Sequence, residues 1–379
     1  MTVVLKKSKL KYHLKVKNGR EVTNEVNYGK NVIDVYGSGG VFKYTDKKLF
    51  TGPSVLFGRK GTIGKPLYVE GDFWAVDTMY YTEVYSGNSP RYFYYLLEVF
   101  PWGKIVTQTA LPSIVGSELE NYEVNIPSEE VQKIIAKFLD RKCVEIETLL
   151  KHKERLLILL EQQRQSIITE SVTKGLNANV KMKDSGVEWI GEVPEHWDEK
   201  ALKYCFKIGN GKEIENEIDK EEDGIVVYGS GGVFKKTDKV LYNGESVLFG
   251  RKGTIGKPLY INGAFWTVDT MYYTKFSTNS SPKWFYYLLL IYPWDLIVTQ
   301  TALPSVVGSD VANTICAIPP LEEQKQIADY LSKEDKKFFD LKSSIEQQIE
   351  KLKEYRQSLI YEAVTGKIDV RDMELDEVR

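Results

Sequence analysis

The sequence predicts an α+β protein in which one domain occurs twice and each copy is followed by a long helix. The first observation is an internal repeat: the stretch from Tyr36 to Lys43 returns from Tyr228 to Lys235, with an offset of 228 − 36 = 192. The second is a series of short β-branched and aromatic runs inside each copy, separated by Gly and Pro. The third is a region from 128 to 173 that contains neither Pro nor Gly. A repeat this long indicates a duplicated domain rather than a solenoid unit.

The globular part of the first copy is predicted to mix strands with a short helix. Strands are predicted at Val55–Phe57, Pro66–Val69 and Met79–Thr82, where β-branched and aromatic residues cluster. A helix is predicted from Pro90 to Val99, because Pro suits a first helical turn and the Tyr and Leu residues after it form an apolar stripe. Its counterpart is Pro282 to Ile291. This mixture indicates an α+β domain.

Each copy ends in a predicted long helix. Ser128 is a suitable N-cap for the first, and Gly175 offers a stop. The second runs from Glu322 to Val364, with Gly366 as its stop. Apolar residues approximate a heptad seam on each helix. The predicted seam of the first helix is Ile135, Leu139, Ile146, Leu149, Leu156, Leu160 and Ile167. That of the second is Ile327, Leu331, Phe338, Leu341, Ile345, Ile349, Leu352 and Leu359.

A helix of this length cannot bury its stripe alone, so the two matching stripes predict a mutual antiparallel coiled coil. The alternative is that each is an ordinary long core helix. The predicted domains are residues 1–127, a first globular domain; 128–175, a spacer helix; 176–319, a second globular domain; and 320–379, a second spacer helix with a tail. Residues 176–200 have no full counterpart before the first domain and are predicted to be a linker that packs on the domain surface.

Composition excludes several classes of protein. Hydrophobic content of 42% and charged content of 27% are those of a soluble globular protein. No apolar run approaches the ~20 residues that span a membrane, and no secretory signal is visible. The three Cys and three His are scattered, which argues against disulfides and against a zinc site. The net charge of −2 means that any nucleic-acid-binding surface must be local.

The most distinctive loop is Gly-Arg-Lys-Gly-Thr-Ile-Gly-Lys, which starts at Gly58 and returns at Gly250. It does not fit the phosphate-loop pattern, because Gly58 plus five is Ile63 and Lys65 is followed by Pro66. Two interpretations stay open. The glycines serve tight turns, or backbone N–H groups and cationic side chains line a nucleic-acid backbone or reach base edges.

Two further loops carry the same ambiguity. The hairpin-like Tyr36-Gly-Ser-Gly-Gly40 is either a simple turn or a DNA contact. The stretch Thr107 to Ser113 offers an amide that can pair with adenine and hydroxyls that can bind phosphate, or it has ordinary strand-edge chemistry. The candidate DNA-binding residues are Tyr36, Ser38, Arg59, Lys60, Thr62, Lys65, Gln108, Thr109 and Ser113, with their counterparts Tyr228, Ser230, Arg251, Lys252, Thr254, Lys257, Gln300, Thr301 and Ser305.

The catalytic motifs expected of an enzyme are missing. There is no Asn/Asp-Pro-Pro-aromatic motif, no Gly-rich S-adenosylmethionine loop, and no nucleophile with a base that recurs in both halves. Asp77 and Asp269 recur in Val-Asp-Thr-Met and are assigned a structural role. The chain is therefore not expected to catalyse a reaction by itself.

Taken together, these residues resemble the specificity subunits of Type I restriction–modification systems. The resemblance covers the whole chain. It depends on the duplicated plan, on both glycine loops, on the junction Ile318-Pro-Pro-Leu-Glu-Glu-Gln-Lys-Gln-Ile327 and on the segment from Gly186 to Trp197. In the first copy the junction is reduced to Ile126-Pro-Ser-Glu-Glu-Val-Gln132, a departure from the family pattern.

The resemblance implies a function and a set of partners. Each globular domain would be a target recognition domain that reads half of a bipartite site in double-stranded DNA. The paired helices would set the spacing and dock two methyltransferase subunits, which carry S-adenosylmethionine and methylate adenine N6, while separate restriction subunits cleave DNA. The chain itself would be noncatalytic, cofactor-free and cytoplasmic. The alternative is a duplicated scaffold that holds two protein partners and binds no DNA.

Overall fold

The computed structural model describes residues 4–107, 112–218, 223–299, 304–371 and 373. The chain forms two compact units: unit 1 is Met1–Glu154 with Glu346–Arg379, and unit 2 is Arg155–Ile345. Each unit is mixed α+β and contains one copy of the repeat. The units divide the chain inside the long helices, whereas the sequence predicts divisions at the helix ends. They do so because the core of each unit includes residues from a part of both helices.

In the first copy of the repeat, eleven strands and two short helices are described. The strands are β1 (Lys6–Lys9), β2 (Leu14–Asn18), β3 (Glu25–Val26), β4 (Ile33–Gly37), β5 (Gly40–Thr45), β6 (Phe50–Thr51), β7 (Ser54–Gly58), β8 (Leu67–Val69), β9 (Asp72–Ala75), β10 (Met79–Val84) and β11 (Glu123–Ile126). The helices are α1 (Pro90–Glu98) and α2 (Gly116–Asn121), and the first long helix is α3 (Glu129–Lys174).

The second copy repeats this order with two differences: the strands β12 and β13 are added before it, and β19 and β20 each take the place of two strands. Its strands are β12 (Met182–Asp184), β13 (Glu192–Pro194), β14 (Asp198–Ala201), β15 (Phe206–Asn210), β16 (Glu217–Ile218), β17 (Ile225–Gly229), β18 (Gly232–Thr237), β19 (Tyr242–Gly250), β20 (Leu259–Thr267), β21 (Met271–Phe276) and β22 (Ile315–Ile318). The helices are α4 (Pro282–Ile291), α5 (Gly308–Asn313) and the second long helix, α6 (Leu321–Val364).

The sheets of the two units have the same neighbours and differ in continuity. In unit 1 one sheet has the order β2-β10-β7-β8 and a second has the order β3-β5-β4-β9-β6. In unit 2 the longer strands β19 and β20 join the counterparts of these two sheets into one sheet of order β15-β21-β19-β20-β17-β18-β16. The pairs β4–β9 and β17–β20 are parallel, and the other pairs are antiparallel. The strands predicted from sequence at β7, β8 and β10 are confirmed.

The long helices end beside the predicted glycines, Gly175 and Gly366, whose φ angles are 75° and 68°, and a buried glutamine fixes the start of each. The Gln132 side chain accepts a hydrogen bond from the backbone N–H of Ser89 at 2.8 Å and donates one to the carbonyl of Pro127 at 3.0 Å. Gln324 makes the same two bonds in unit 2, to Ser281 and Pro319. Each glutamine therefore ties the start of a long helix to the N-cap of the short helix beside it.

The buried seam of the long helices differs from the predicted one at three positions. Leu149, Leu156 and Leu341 are 48%, 47% and 49% exposed. The half-buried positions are their neighbours Leu150, Leu157 and Lys342. These fit a strict alternation of four- and three-residue steps, which places the cations Lys153, Arg164, Lys342 and Arg356 on the seam. The sequence prediction of Leu149, Leu156 and Leu341 as seam residues is wrong, because the adjacent positions 150, 157 and 342 are the ones that are half-buried.

Polar side chains connect the two long helices within each unit. In unit 1, Lys153 Nζ donates to Gln348 Oε1 at 2.6 Å. In unit 2, Arg164 Nε lies 2.7 Å from Asp335 Oδ1. The repeat position of Asp335 is occupied in unit 1 by Cys143, and there Arg356 pairs instead with Glu98 at 3.1 Å. Each unit thus satisfies its seam arginine with a different carboxylate.

The segment 176–200 is part of the core of unit 2 and not only a surface linker. Strands β12 and β13 form a hairpin, and both Val193 on β13 and Trp197 after it are buried. The Trp189 ring packs on Tyr292 with centroids 5.7 Å apart. The aromatic residues of this segment therefore pack on the short helix α4, since Trp197 also contacts Trp284.

Candidate nucleic-acid interface

The cationic loop after β7 is built around glycines that cannot be replaced without strain. A Cβ on Gly58 would lie 2.2 Å from the carbonyl oxygen of Thr62, and the same distance separates Gly250 from the Thr254 carbonyl oxygen. Gly61 and Gly64 have φ of 76° and 82°, a region that favours glycine. The glycines therefore serve the tight turn. The turn does not require the cationic side chains, which can have another role.

Backbone pairing brings this loop against two others. In unit 1 the Arg59 N–H donates to the Thr78 carbonyl at 2.8 Å, and the Ile114 N–H donates to the Arg59 carbonyl at 3.0 Å. Lys60 forms a β-bridge with Ser113. Unit 2 repeats all three contacts between the cationic loop, the Thr270 turn and the Ser305 loop. Loops that are up to 55 residues apart in sequence, as Arg59 and Ile114 are, therefore meet at one edge of each unit.

The arginine of the loop is held by an aromatic ring. The Arg59 guanidinium carbon lies 5.7 Å from the centre of the Tyr80 ring, and Arg251 lies at the same distance from Tyr272. The Tyr80 hydroxyl donates to the Ile114 carbonyl at 3.2 Å and accepts from the Gly116 N–H at 3.2 Å, so the ring itself is fixed. Such cation–π contacts orient a guanidinium while leaving its N–H groups available.

The cations of the loop make no ion pair in the described part of the chain. Lysines elsewhere on the same domains are paired: Lys43 lies 2.7 Å from Glu25, and Lys235 is paired with Glu217. Among the described residues, no ion pair includes the cations Arg59, Lys60, Lys65, Arg251, Lys252 and Lys257. Unpaired cations on glycine loops create a local positive surface in a chain whose net charge is −2.

The second predicted loop is a hairpin turn, and in unit 2 it lies beside the cationic loop. Strands β4 and β5 are joined at Ser38-Gly39, and the Tyr36 carbonyl accepts a hydrogen bond from the Val76 N–H at 3.1 Å. Burial, together with the nearby Asp34 carboxylate, raises the pKa of Tyr36, so its hydroxyl stays protonated. In unit 2, Ser230 Oγ lies 3.7 Å from the point that a Cβ on Gly253 would occupy.

The third loop is only partly described. Gln108, Thr109, Gln300 and Thr301 lie outside the described residues. Ser113 Oγ lies 2.9 Å from Thr107 Oγ1, and Ser305 Oγ lies at the same distance from Thr299 Oγ1. These serine hydroxyls therefore close the base of the loop, as the strand-edge interpretation predicts. The remaining predicted side chains Lys60, Thr62 and Lys65 are exposed, as are their counterparts.

Sequence reasoning missed one feature of this edge. Val41 and Phe42, at the start of β5, are exposed, and so are Val233 and Phe234 in unit 2. The signal that could have found them is their place directly after the Gly-Gly turn in both copies, where no strand covers them. Asp77 and Asp269 are also near this edge, because they follow Val76 and Val268, whose N–H groups bond the hairpin.

Other kinds of site are not found in the described part of the chain. No group of three or more potential metal ligands occurs among those residues. Burial raises the pKa of the Cys316 thiol to about 12, which disfavours the thiolate that a nucleophile needs. Within the same residues, no helix is both long and apolar enough to cross a bilayer.

Comparison with known proteins identifies relatives of this arrangement. The Type I restriction enzyme MjaVIII specificity subunit of Methanocaldococcus jannaschii is 26% identical over 295 residues, which are 70% of this chain and 66% of that protein. This chain thus spans just under two thirds of that relative's length. A specificity subunit of the EcoprrI enzyme from Escherichia coli is 24% identical over 111 residues, 29% of this chain and 28% of that protein.

Two solved structures share the fold. A chain from a type I R-M system, solved in a study of complex assembly and conformational transition, has a TM-score of 0.72 at 14% identity and covers 95% of this chain and 100% of its own. The HsdS subunit from Thermoanaerobacter tengcongensis has a TM-score of 0.57 at 14% identity, with coverages of 96% and 97%.

A family model extends the comparison to both copies of the repeat. The family of the Type I restriction modification DNA specificity domain matches residues 5–156 and 194–351, well over half of the chain. The two matches begin and end at nearly equivalent positions of the repeat, so each copy matches the family by itself. The protein is therefore a member of the Type I restriction–modification specificity-subunit family.

Proposed function

We propose that this chain is the noncatalytic DNA specificity subunit of a Type I restriction–modification complex, and that each of its two recognition domains reads one half of a bipartite duplex site. The observation that supports this most is the edge described above, at which glycine loops and unpaired cations meet in each unit. Cations and backbone N–H groups position a protein on phosphates, and neighbouring side chains then reach base edges. The edge occurs twice with nearly the same residues.

We also propose that α3 and α6 pair as an antiparallel coiled coil and act as a spacer. The polar contacts within each unit support antiparallel pairing, since Lys153 meets Gln348 while the later Arg164 meets the earlier Asp335. Half-sites must keep a fixed distance and a fixed rotation, because DNA turns every ~10–10.5 bp. A stiff helical pair sets both quantities at once, whereas a flexible linker would allow many spacings.

The proposed partners are two methyltransferase subunits, which would bring S-adenosylmethionine, with restriction subunits joining them. Exposed apolar side chains on α3 support a docking role: Val144, Leu149, Leu156, Ile158 and Leu159. Exposed apolar side chains on one helix face mark sites of protein contact, and Leu156 and Leu159 are three residues apart on such a face. Replacing Leu149 and Leu156 by Lys should abolish co-purification with the methyltransferase subunits while the urea midpoint of the chain is unchanged.

The experiment that tests the proposed function is selection of bound duplexes from a random library, combined with a methylation map of the source genome. The two loop sets are almost identical, so we expect a nearly palindromic site with two similar half-sites read on opposite strands. Differences such as Tyr44 against Lys236 and Thr51 against Asn243 allow a one-base asymmetry. Two unrelated half-sites would contradict the proposal that the two domains recognise similar sequences. Absence of duplex binding at low salt, with partner binding intact, would favour the scaffold alternative.

A further inference from the structure

The hairpins β4–β5 and β17–β18 each expose a pair of apolar side chains to which the proposed function assigns no role. Val41 and Phe42 are 42% and 54% exposed, and Val233 and Phe234 are 72% and 49% exposed. Each pair follows the Gly-Gly turn of its hairpin and is identical in the two units. Apolar area left in water is unfavourable, so its presence at the same place in both units points to a partner surface.

The shape of the hairpin fits a groove of duplex DNA. Its turn consists of Gly37, Ser38, Gly39 and Gly40, so no side chain larger than serine widens the end. A Cβ on Gly39 or Gly40 would meet no atom within 4 Å, and the same is true of Gly231 and Gly232. The turn is therefore thin and surrounded by open space. A two-stranded β-ribbon of this kind can enter the major groove, which is ~12 Å wide.

In each unit the phenylalanine of the pair packs against the first glycine of its own hairpin, Gly37 or Gly229. In unit 1 the Phe42 ring covers Gly37, where a Cβ would lie 3.1 and 3.2 Å from two ring carbons. Lys43 Nζ stands 5.8 Å from the centre of the same ring. A wedge that unstacks bases must stand free of its own backbone. A phenylalanine packed against its own ribbon instead offers the exposed half of its side chain to the groove floor, 54% for Phe42 and 49% for Phe234.

The major groove contains one apolar group, the C5-methyl of thymine. Resting on the proposed DNA-reading function, we propose that Val41 and Phe42 in unit 1, and Val233 and Phe234 in unit 2, recognise thymine methyl groups in the major groove. Each half-site then contains at least one thymine that is read by apolar contact. Because the pairs are identical, this thymine occupies the same place in both half-sites.

The test uses the full-length chain, in the same state of assembly throughout, on its selected duplex. Each thymine is replaced in turn by uracil, which removes only the methyl group. The wild-type chain should lose about fourfold in affinity at one thymine in each half-site, as expected for ~0.8 kcal/mol of lost methyl burial. The variant V41A/F42A should bind the thymine and uracil forms of its half-site equally, and V233A/F234A should do the same for the other half-site.

Two controls separate an apolar contact from a change of fold. Phe42→Leu keeps an apolar surface and should keep discrimination between thymine and uracil. Tyr12→Ala and Tyr204→Ala remove exposed aromatic rings at equivalent repeat positions and should also keep it. All the variants change exposed side chains, and an unchanged urea midpoint verifies that they are folded.

The outcomes distinguish this inference from the proposed function. If the wild-type chain binds no duplex, the proposed function and this inference both fail. If it binds a specific site but no thymine is sensitive to uracil, or if the sensitivity persists in the alanine variants, the inference alone is overturned. A rise in 2-aminopurine fluorescence that depends on Phe42, without sensitivity to uracil, would show a wedge and would also overturn it.

Discussion

Arg59 and Arg251 differ from the neighbouring lysines because each lies over a fixed tyrosine ring. A guanidinium that is already oriented loses less freedom on binding than an exposed lysine. We predict that Arg59→Ala and Arg251→Ala each weaken DNA binding. A phosphate contact would reduce the salt slope by about 1 for all sequences, and a guanine contact would cost ~1–3 kcal/mol at one base position.

A salt series of binding curves on matched and mismatched duplexes measures both quantities. Lys7→Ala is the control for Arg59→Ala, because Lys7 is paired with Glu123 at 2.8 Å on the β1–β11 pair, away from the proposed DNA-contacting loops. Unchanged affinity in both arginine variants would contradict a DNA contact by these arginines and would favour the interpretation that the loop is only a tight turn.

The Arg164–Asp335 pair is the least exposed ion pair between the long helices of unit 2, among the described residues. The side chains are 13% and 15% exposed. Burial alone would lower the pKa of Arg164, but the hydrogen bond and charge of Asp335 raise it on balance. The Tyr287 hydroxyl also donates to Asp335 at 3.1 Å. Removing one charge of such a pair leaves the other without compensation in a poorly solvated place.

We predict that Asp335→Asn lowers the free energy of unfolding by about 2–3 kcal/mol, measured from the urea midpoint. The control is Glu334→Gln, which removes the exposed pair with Lys337 and should cost at most ~1 kcal/mol. Equal effects of the two substitutions would contradict the importance of burial at this position.

At the scale of elements, the seam of α3 offers matched pairs of adjacent leucines. Leu150 and Leu157 are half-buried, while Leu149 and Leu156 are exposed. We predict that Leu150→Ala and Leu157→Ala each destabilise the chain by about 1–2 kcal/mol, less than a fully buried leucine would. Leu149→Ala and Leu156→Ala should change stability by less than ~0.5 kcal/mol. Urea unfolding of the four variants tests the register of the seam. Larger losses of stability for Leu149→Ala and Leu156→Ala than for the other two variants would support the register that was predicted from sequence.

The same leucines show where sequence reasoning stops. The stop of each long helix was predictable, because Gly175 and Gly366, both with positive φ, are local signals, and Ser128 marked the start of the first. The register was not, because Leu149-Leu150 and Leu156-Leu157 give either choice an apolar residue. Only tertiary contacts determine which leucine is buried. Lys153 is tolerated on the seam because it donates a hydrogen bond to Gln348.

The candidate site was predictable in its residues and not in its assembly. Repetition at a constant offset identified the loops, since glycines and cations recur together. The pairing of Arg59 with Thr78 and Ile114 is non-local and has no sequence signal. The exposed Val41 and Phe42 were missed because an apolar pair in a strand is normally read as core. Trp197 was similarly assigned to a surface linker, although the core of unit 2 needs it.

At the scale of the whole molecule, one half of the chain contains a complete recognition domain and a complete long helix. We predict that a fragment of residues 1–180 forms a dimer whose helices pair antiparallel. Arg164 of one copy would take the place of Arg356, since 356 − 192 = 164, and meet Glu98 of the other copy. The position of Gln348 becomes Leu156, so Lys153 loses its hydrogen-bond acceptor.

Sedimentation of the fragment measures this association, which should dissociate on dilution because it is bimolecular. A fragment with Lys153→Leu should associate more tightly, because the seam then lacks its unpaired cation. If both fragments are folded and strictly monomeric at tens of micromolar, the two helices are specific for each other and not interchangeable.

The constant offset of the repeat also affects how the gene can change. The copies keep one register from Tyr36 to Thr173 and are identical from Phe57 to Pro66 and from Phe249 to Pro258. An in-frame exchange between these two stretches deletes 192 codons and leaves a chain of 379 − 192 = 187 residues. That product joins the front of one domain to the back of the other at a strand and loop with the same backbone contacts in both. A single recombination event can therefore convert a two-domain reader into a one-domain subunit that is complete in all its elements.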